Sequence, residues 1–235
     1  MINVGDSISA KNANWTFDGK VAENFEPHVK KSVPFYDAGH GLILETADYF
    51  VKDDSTVYEL GCSTGLLSYK LSKRFEDKKA TFIGLDEISN MIKYAENKYK
   101  NKNLKFECEN VVDYEYLSSD LITSYYLLQF IRPSQRQSLI DKVYSTLNWG
   151  GAFICFEKVR GPDARFQDIS NGLYQEYKIN NGYSYEEIVS KSRSLKGILE
   201  PFSTNGNIEM FNRAGFKDIS SIFKYICFEG FLCIK

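Results

Sequence analysis

Thr56-Val57-Tyr58-Glu59-Leu60-Gly61-Cys62-Ser63-Thr64-Gly65-Leu66 is the stretch whose reading decides the fold. Thr56 to Leu60 is short, apolar and partly β-branched, which predicts a strand. Leu67, Leu71 and Phe75 follow at i, i+4 and i+8, which predicts a helix from Leu66 to Phe75. A strand, a glycine-containing loop and a helix open a Rossmann-like βαβ unit. Gly61 lets the chain turn sharply off the strand, and the small Ser63 with Gly65 lets the backbone approach a ligand closely. Glu59, at the strand end, is placed to accept hydrogen bonds from an ammonium group such as that of a methionyl moiety.

Outward from the loop the alternation continues. Ala80 to Asp86 reads as a second strand, and Asp86 falls 21 residues after Gly65. An acid there receives two ribose hydroxyls, with Glu87 beside it. A helix is expected from Ser89 to Tyr99, capped by Ser89, and a strand from Leu104 to Glu109. Asn110 and Val111 then lie where an adenine edge would sit. Leu121 to Tyr126 is a further strand. A helix opened by Pro133 runs to Leu147, Gly150-Gly151 makes a tight turn, and Ala152 to Val159 is a strongly apolar strand. The closing runs Ser220 to Tyr225 and Cys227 to Lys235 are too close for a helical crossover, so they predict a hairpin. A parallel α/β sheet closed by an antiparallel hairpin is the plan of class I S-adenosyl-L-methionine (SAM)-dependent methyltransferases. The expected cofactor is therefore SAM, or S-adenosyl-L-homocysteine after turnover. The bland alternative is a structural turn in a cofactor-free Rossmann-like domain.

One domain is expected over 21–235, behind a flexible N-terminus at 1–20 in which Trp15 and Phe17 are candidate anchors. Within it, 21–52 reads as a helical lid broken at Val33-Pro34-Phe35-Tyr36, since the residue before proline avoids the helical region. Residues 160–202 read as a helical insertion before a last helix, Gly206 to Ala214, ended by Gly215. The chain has 235 residues, 43% of them hydrophobic, with a net charge of −2. That balance argues against a broad nucleic-acid surface. No apolar run suits a membrane span and no signal peptide is evident, so a cytoplasmic protein is expected. Cys62, Cys108, Cys155, Cys227 and Cys233 form no CxxC pair and read as reduced, buried thiols; no metal site is expected.

Further candidates come from position. Tyr36 and His40 belong to the segment that would cover the cofactor. Glu157 sits on an apolar strand, where an acid is costly unless paired or functional, and is a candidate general base. Its bland reading is pairing with Lys158 or Arg160. Tyr125 and Tyr126 end the fourth strand, where acceptor-orienting residues commonly sit, and one of them is expected to be core. Arg193 is a candidate partner for a substrate carboxylate, against the alternative of a solvated helix face. The aromatic richness, with Tyr 16 and Phe 17, is read as core and dimer packing.

Together these residues resemble the carboxy-S-adenosyl-L-methionine synthase family. The likeness is carried by Trp15-Thr16-Phe17-Asp18, Val21-Ala22-Glu23, Ser32-Val33-Pro34 with Tyr36, Tyr58-Glu59-Leu60-Gly61-Cys62-Ser63, Leu128-Gln129-Phe130, Asn180-Asn181-Gly182-Tyr183-Ser184 and Ala214-Gly215-Phe216. It implies an enzyme that uses SAM and prephenate to make the carboxymethyl donor for tRNA wobble uridine modification. It also implies a homodimer with contacts through the inserted helices, and cofactor contacts at Tyr36, Gly61, Asp86, Asn110 and Val111. Three positions depart from the family pattern. Ser192 stands where the family has a carboxylate-binding arginine, Tyr125 where it has asparagine, and Asn110 where aspartate is usual. The first expectation is accordingly methyl transfer from SAM to a small-molecule acceptor, with base assistance from Glu157, His40 or a tyrosine. The synthase itself, with Arg193 replacing the lost arginine, is the alternative, followed by a non-catalytic SAM-binding protein.

Overall fold

The computed structural model describes residues 2, 3, 9, 10, 13 and 21–235, with side chains at Ala13 and from Phe25 onward. The expected anchors Trp15 and Phe17 lie outside the described residues. Two short strands, β1 (Ile2–Asn3) and β2 (Ser9–Ala10), pair antiparallel. Helices α1 (Val21–Ser32) and α2 (Tyr36–Ala47) form the N-terminal pair. They are separated at Pro34, and Phe35 takes a left-handed φ of 55° to turn between them.

The alternating part follows as β3 (Thr56–Leu60), α3 (Leu66–Arg74), β4 (Thr81–Leu85), α4 (Ser89–Lys98), β5 (Leu104–Glu107) and β6 (Ser119–Tyr125). A 3-10 turn at Leu128–Phe130 leads to α5 (Pro133–Thr146) and β7 (Leu147–Lys158). The insertion is two helices, α6 (Ala164–Asn180) and α7 (Tyr185–Ser194). Helix α8 (Thr204–Ala214) and the strands β8 (Asp218–Tyr225) and β9 (Phe228–Ile234) end the chain.

Seven strands form one sheet in the order β5-β4-β3-β6-β7-β9-β8. Strands β3 to β7 run parallel, while β9 is antiparallel to both β7 and β8, which is the expected closing hairpin. The chain therefore has the parallel α/β sheet closed by an antiparallel hairpin that the sequence predicts.

Strand periodicity divides the core between the two faces of the sheet. Val57, Leu121, Ile154 and Phe156 pack with Ile43 of α2 and Leu67 and Leu71 of α3. Their strand neighbours Tyr58, Ile122, Phe153 and Cys155 pack on the other face with Leu139, Ile140 and Val143 of α5 and Phe211 of α8. Burying each large apolar side chain contributes roughly 1.5–3 kcal/mol, so both helical layers are held by the same strands.

Two local expectations are corrected. Ser89 does not cap α4: the N-cap is Ile88, whose N–H instead donates to Asp86 Oδ1 at 2.9 Å. Gly150-Gly151 is not a free turn between helix and strand. It belongs to β7, where the pairing with β6 shifts from Ser119↔Leu147 to Leu121↔Ala152, and Gly150 N–H donates to the C-terminal Lys235 carbonyl at 2.8 Å. The extra residues form a bulge, stabilised by the last residue of the chain.

Candidate active site

Parallel strands expose their carboxyl ends on one side, and ligands of open α/β sheets bind there. A cleft of about 1000 Å³ opens at that edge, between the strand ends, α1–α2 and the inserted helices. Glu59, Gly61, Ser63, Asp86, Glu87, Asn110 and Val111 all line it, as do Tyr36, His40, Tyr125 and Tyr126.

The loop after β3 is pinned from two sides. Cys62 N–H donates to the Leu85 carbonyl at 2.8 Å, and Ser63 N–H donates to Asp86 Oδ2 at 2.9 Å. Asp86 thus holds Ser63 through one oxygen and Ile88 through the other, coupling the loop to the start of α4. Burial lifts its carboxyl above the usual range, and the two N–H donors pull it back.

The two loop glycines do different jobs. Gly61 has φ 68° and lines the cleft, and a Cβ there would lie 2.7 Å from Leu127 Cδ1. Gly65 has φ 78° and does not line the cleft; a Cβ there would meet the Phe106 ring at 2.6 Å and Ala95 at 2.8 Å. The expected role of Gly65 in ligand approach is therefore corrected: it lets α3 start close against β5 and α4.

Glu59 is 5% exposed and accepts a hydrogen bond from Ser68 Oγ. Burial, with Asp86 nearby, pushes its carboxyl up to about 8. A cationic group beside it would restore the charge. At the end of β5, Asn110 Oδ1 accepts from Val112 N–H at 2.9 Å, and its amide donates to Glu87 Oε2 at 2.8 Å.

The lid side is aromatic. Tyr125 OH donates to the Tyr36 carbonyl at 2.7 Å. His40 lies 4.7 Å, centroid to centroid, from both Tyr36 and Tyr125. Burial, then the Lys70 ammonium, depresses the His40 imidazolium to about 3, so the ring is neutral at ordinary pH. Burial raises the phenols of Tyr36, Tyr125 and Tyr126. Tyr126 has φ 63°, a strained value for a bulky residue and of a kind that clusters at ligand clamps.

Two further candidates lie away from the cleft. Glu157 does not line it, and pairs with neither Lys158 nor Arg160. Its oxygens accept the N–H groups of Leu128 and Gln129, each at 2.8 Å, which fixes the 3-10 turn after β6. Arg193 is exposed and outside the cleft, whereas Ser192 is at its rim. One residue along a helix is about 100° of rotation, which carries the arginine to the outer face. Cys108 is exposed, against the expectation of a buried thiol, while the other four cysteines are buried.

Lys158, Lys178, Tyr174 and Gln129 also line the cleft. Sequence reasoning weighed Lys158 only as an ion-pair partner for Glu157 and passed over Lys178. Lys158 carried a usable signal, because strand alternation puts it on the face opposite Glu157. Lys178 carried none, because its burial depends on how α6 docks.

An acid at the end of β3, another at the end of β4, an amide at the end of β5 and a side-chain-free Gly61 converge on one cleft. These match the ammonium, ribose diol and adenine of SAM, so the residues fit that cofactor. Comparison with known proteins agrees. Residues 57–151 match a family model described as a methyltransferase domain. Carboxy-S-adenosyl-L-methionine synthase of Staphylococcus epidermidis is 39% identical over 94% of this chain and 97% of its own length. The same enzyme of Campylobacter lari is 36% identical over 93% of this chain and 94% of its own. The fold is shared with human N-acetylserotonin methyltransferase, solved with SAM: TM-score 0.61 and 14% identity, over 91% of this chain and 55% of that one. The chain belongs to the carboxy-S-adenosyl-L-methionine synthase family, SAM-using enzymes built on the class I methyltransferase fold.

Proposed function

We propose that the protein is a carboxy-S-adenosyl-L-methionine synthase: the ring carbon–carboxyl bond of prephenate breaks as the ring loses its hydroxyl and becomes aromatic, the carboxyl group joins the methyl carbon of SAM, and the proton that carbon gives up leaves with the hydroxide as water. The observation that carries this reading is the likeness to curated synthases along nearly the whole chain, inserted helices included. It displaces methyl transfer to a small acceptor as the leading expectation.

SAM, when bound, supplies a sulfonium-activated methyl carbon. The chain supplies the binding and the shielding. Glu59 receives the ammonium, Asp86 the ribose hydroxyls, and Asn110 with Val111 the adenine. Ser63 and Gly61 offer backbone to the nucleoside, and Glu87 steadies Asn110. Tyr36, His40, Tyr125 and Tyr126 form an aromatic wall that excludes water from the reacting carbon. The domain plan is a single unit over 21–235 with its lid at 21–52 and its insertion at 160–202.

The test is the ligand retained by the purified protein. Expression in cells that make prephenate, followed by denaturation and mass spectrometry, is expected to release carboxy-SAM. Recovery of SAM or S-adenosylhomocysteine alone, even after prephenate is added, would overturn the synthase reading in favour of methyl transfer.

The working form is read as a homodimer. Phe166, Ile169 and Leu173 lie at i, i+3 and i+7 on α6 and are 54%, 50% and 53% exposed, and Tyr185 and Val189 of α7 are exposed as well. An exposed apolar face of this kind marks an interaction site, and a second copy is the partner that the family resemblance implies. Light scattering is expected to give twice the 27.0 kDa chain mass, and Ile169→Glu with Leu173→Glu the chain mass alone. A monomeric wild type at micromolar concentration would refute this. The protein is further read as cytoplasmic, supported by its five free thiols and checkable by cell fractionation.

A further inference from the structure

Tyr174 of α6 has two ammonium groups within reach of its ring. Lys158 Nζ lies 4.5 Å from the centroid of its ring and Lys178 Nζ 4.4 Å from the same centroid. Lys158 ends β7 and Lys178 lies in the last turn of α6, so two separate elements deliver the two charges to one spot. Lys178 is only 9% exposed. No carboxylate pairs with either among the described residues, although the chain has more acids than bases. The surroundings are Cys227 from the β8–β9 turn, Phe228 and the Tyr174 ring, with Arg160 as the further nearby charge.

Two like charges sharing one ring are costly to bury. The attraction of a tyrosine face for a cation is smaller than the cost of burying that charge unpaired. Such an arrangement is stabilised by an anion in contact with both ammonium groups. Both lysines line the same cleft as Glu59 and Asp86. The acids there suit the cationic and hydroxylated parts of SAM. The lysines are a second, oppositely charged pole on the side of the inserted helices.

We propose that Lys158 and Lys178, which share the Tyr174 ring, form a carboxylate-binding subsite that does in this chain what an arginine at the position of Ser192 would otherwise do. The proposal rests on the synthase reading, and it names the residues that recognise the carboxyl group. Arg193 lies outside the cleft of its own chain. The carboxylate has two sources, the carboxylated cofactor and the free prephenate, and a titration separates them.

The proton balance of the site gives a second readout. Burial, then Lys158, holds the Lys178 ammonium down to about 8, and burial lowers Lys158 as well. An anion bound between them favours the protonated forms. Carboxylate binding is therefore expected to be full below pH 8 and to weaken as pH rises through it, with net proton uptake on the alkaline side.

The experiment is calorimetry on the full-length ligand-free protein, titrated with SAM and with carboxy-SAM, for wild type, Lys158→Met and Lys178→Met. Wild type is expected to bind carboxy-SAM at least tenfold more tightly than SAM, and each variant to lose most of that preference. SAM affinity is expected to stay within about twofold, which also shows that the variants fold. A preference unchanged in both variants overturns the subsite, and so does an equal loss of SAM and carboxy-SAM affinity. If wild type shows no preference at all, the synthase reading fails instead. The subsite is then decided by prephenate added to the SAM-loaded protein: binding that both variants abolish supports it, and no binding, or binding that both variants retain, ends it. Arg193→Ala is expected to leave the preference intact; its loss there would return the task to the arginine.

Discussion

Asp86→Ala is expected to weaken SAM binding by about a hundredfold, and Asp86→Asn by about tenfold. The side chain does two things at once. It presents oxygen to the cleft, and it accepts the N–H groups of Ser63 and Ile88, both at 2.9 Å. Hydrogen bonds to a charged acceptor contribute roughly 1.5–3 kcal/mol each, and every 1.4 kcal/mol is a factor of ten in affinity. Alanine removes both bonds and frees the loop whose shape Ser63, at φ 48°, holds under strain. Asparagine keeps one acceptor oxygen but turns an NH₂ group toward the other N–H donor. Calorimetry with SAM checks the result, with thermal melting as the control for folding. An Asp86→Ala protein that binds SAM within threefold of wild type would remove Asp86 from the site.

Glu157→Ala is expected to act on stability rather than on cofactor binding. Its carboxylate is 2% exposed and satisfies two backbone N–H groups that nothing else reaches. Breaking such a buried arrangement costs about 3–5 kcal/mol. For a chain of this length each kcal/mol lowers the melting temperature by about 2–4 °C, so a fall of about 6–20 °C is expected. Glu157→Gln keeps one acceptor and falls less. Activity measured well below the melting point separates the two roles. If kcat of Glu157→Gln stays within about threefold while melting falls, the acid positions the turn. A hundredfold loss of kcat with unchanged melting would make it the general base that its place on an apolar strand first suggested. The pH response gives an independent sign. Burial raises this carboxyl from 4.5 to about 8. Its contribution to stability is therefore full below pH 4.5 and is lost as pH rises through about 8, a slope that Glu157→Gln removes.

How far the sequence could be read depended on how local the cause was. Strand β3 is found over the expected residues, Thr56–Leu60, because its pattern is bounded by a glycine loop. The antiparallel hairpin was legible from chain length alone, since the short link between the last two runs leaves no room for a crossover. Glu59, Asp86 and Asn110 were placed at the cleft by topology, as strand ends must be. Other features depended on distant partners. Gly65 faces Phe106 and Ala95, which are 41 and 30 residues away in sequence, so its role followed from helix packing and not from its motif. Ser89 had the right chemistry for a cap, but Asp86 reached the orphan N–H of Ile88 first. Glu157 and Lys158 were legible as a pair of opposite charges on a core strand. Which of them faces the cleft was settled by the docking of the 3-10 turn, which no local pattern encodes.

The bulge at the start of β7 has a consequence for how this chain tolerates length changes. Upstream of Ala152 the strand already carries extra residues opposite β6, so an inserted or deleted residue between Leu147 and Gly151 is absorbed by the loosened ladder. From Ala152 to Phe156 each residue is paired on both sides, with β6 and β9, and Glu157 and Lys158 stay paired with β9. There a single-residue indel shifts the alternation by one and exchanges neighbours across the sheet. Glu157 would then face the cleft and Lys158 the 3-10 turn. The electrical polarity of the cleft wall would invert without any change in composition. Homologous chains that retain the same chemistry should therefore accumulate indels before Ala152 and none between it and Lys158.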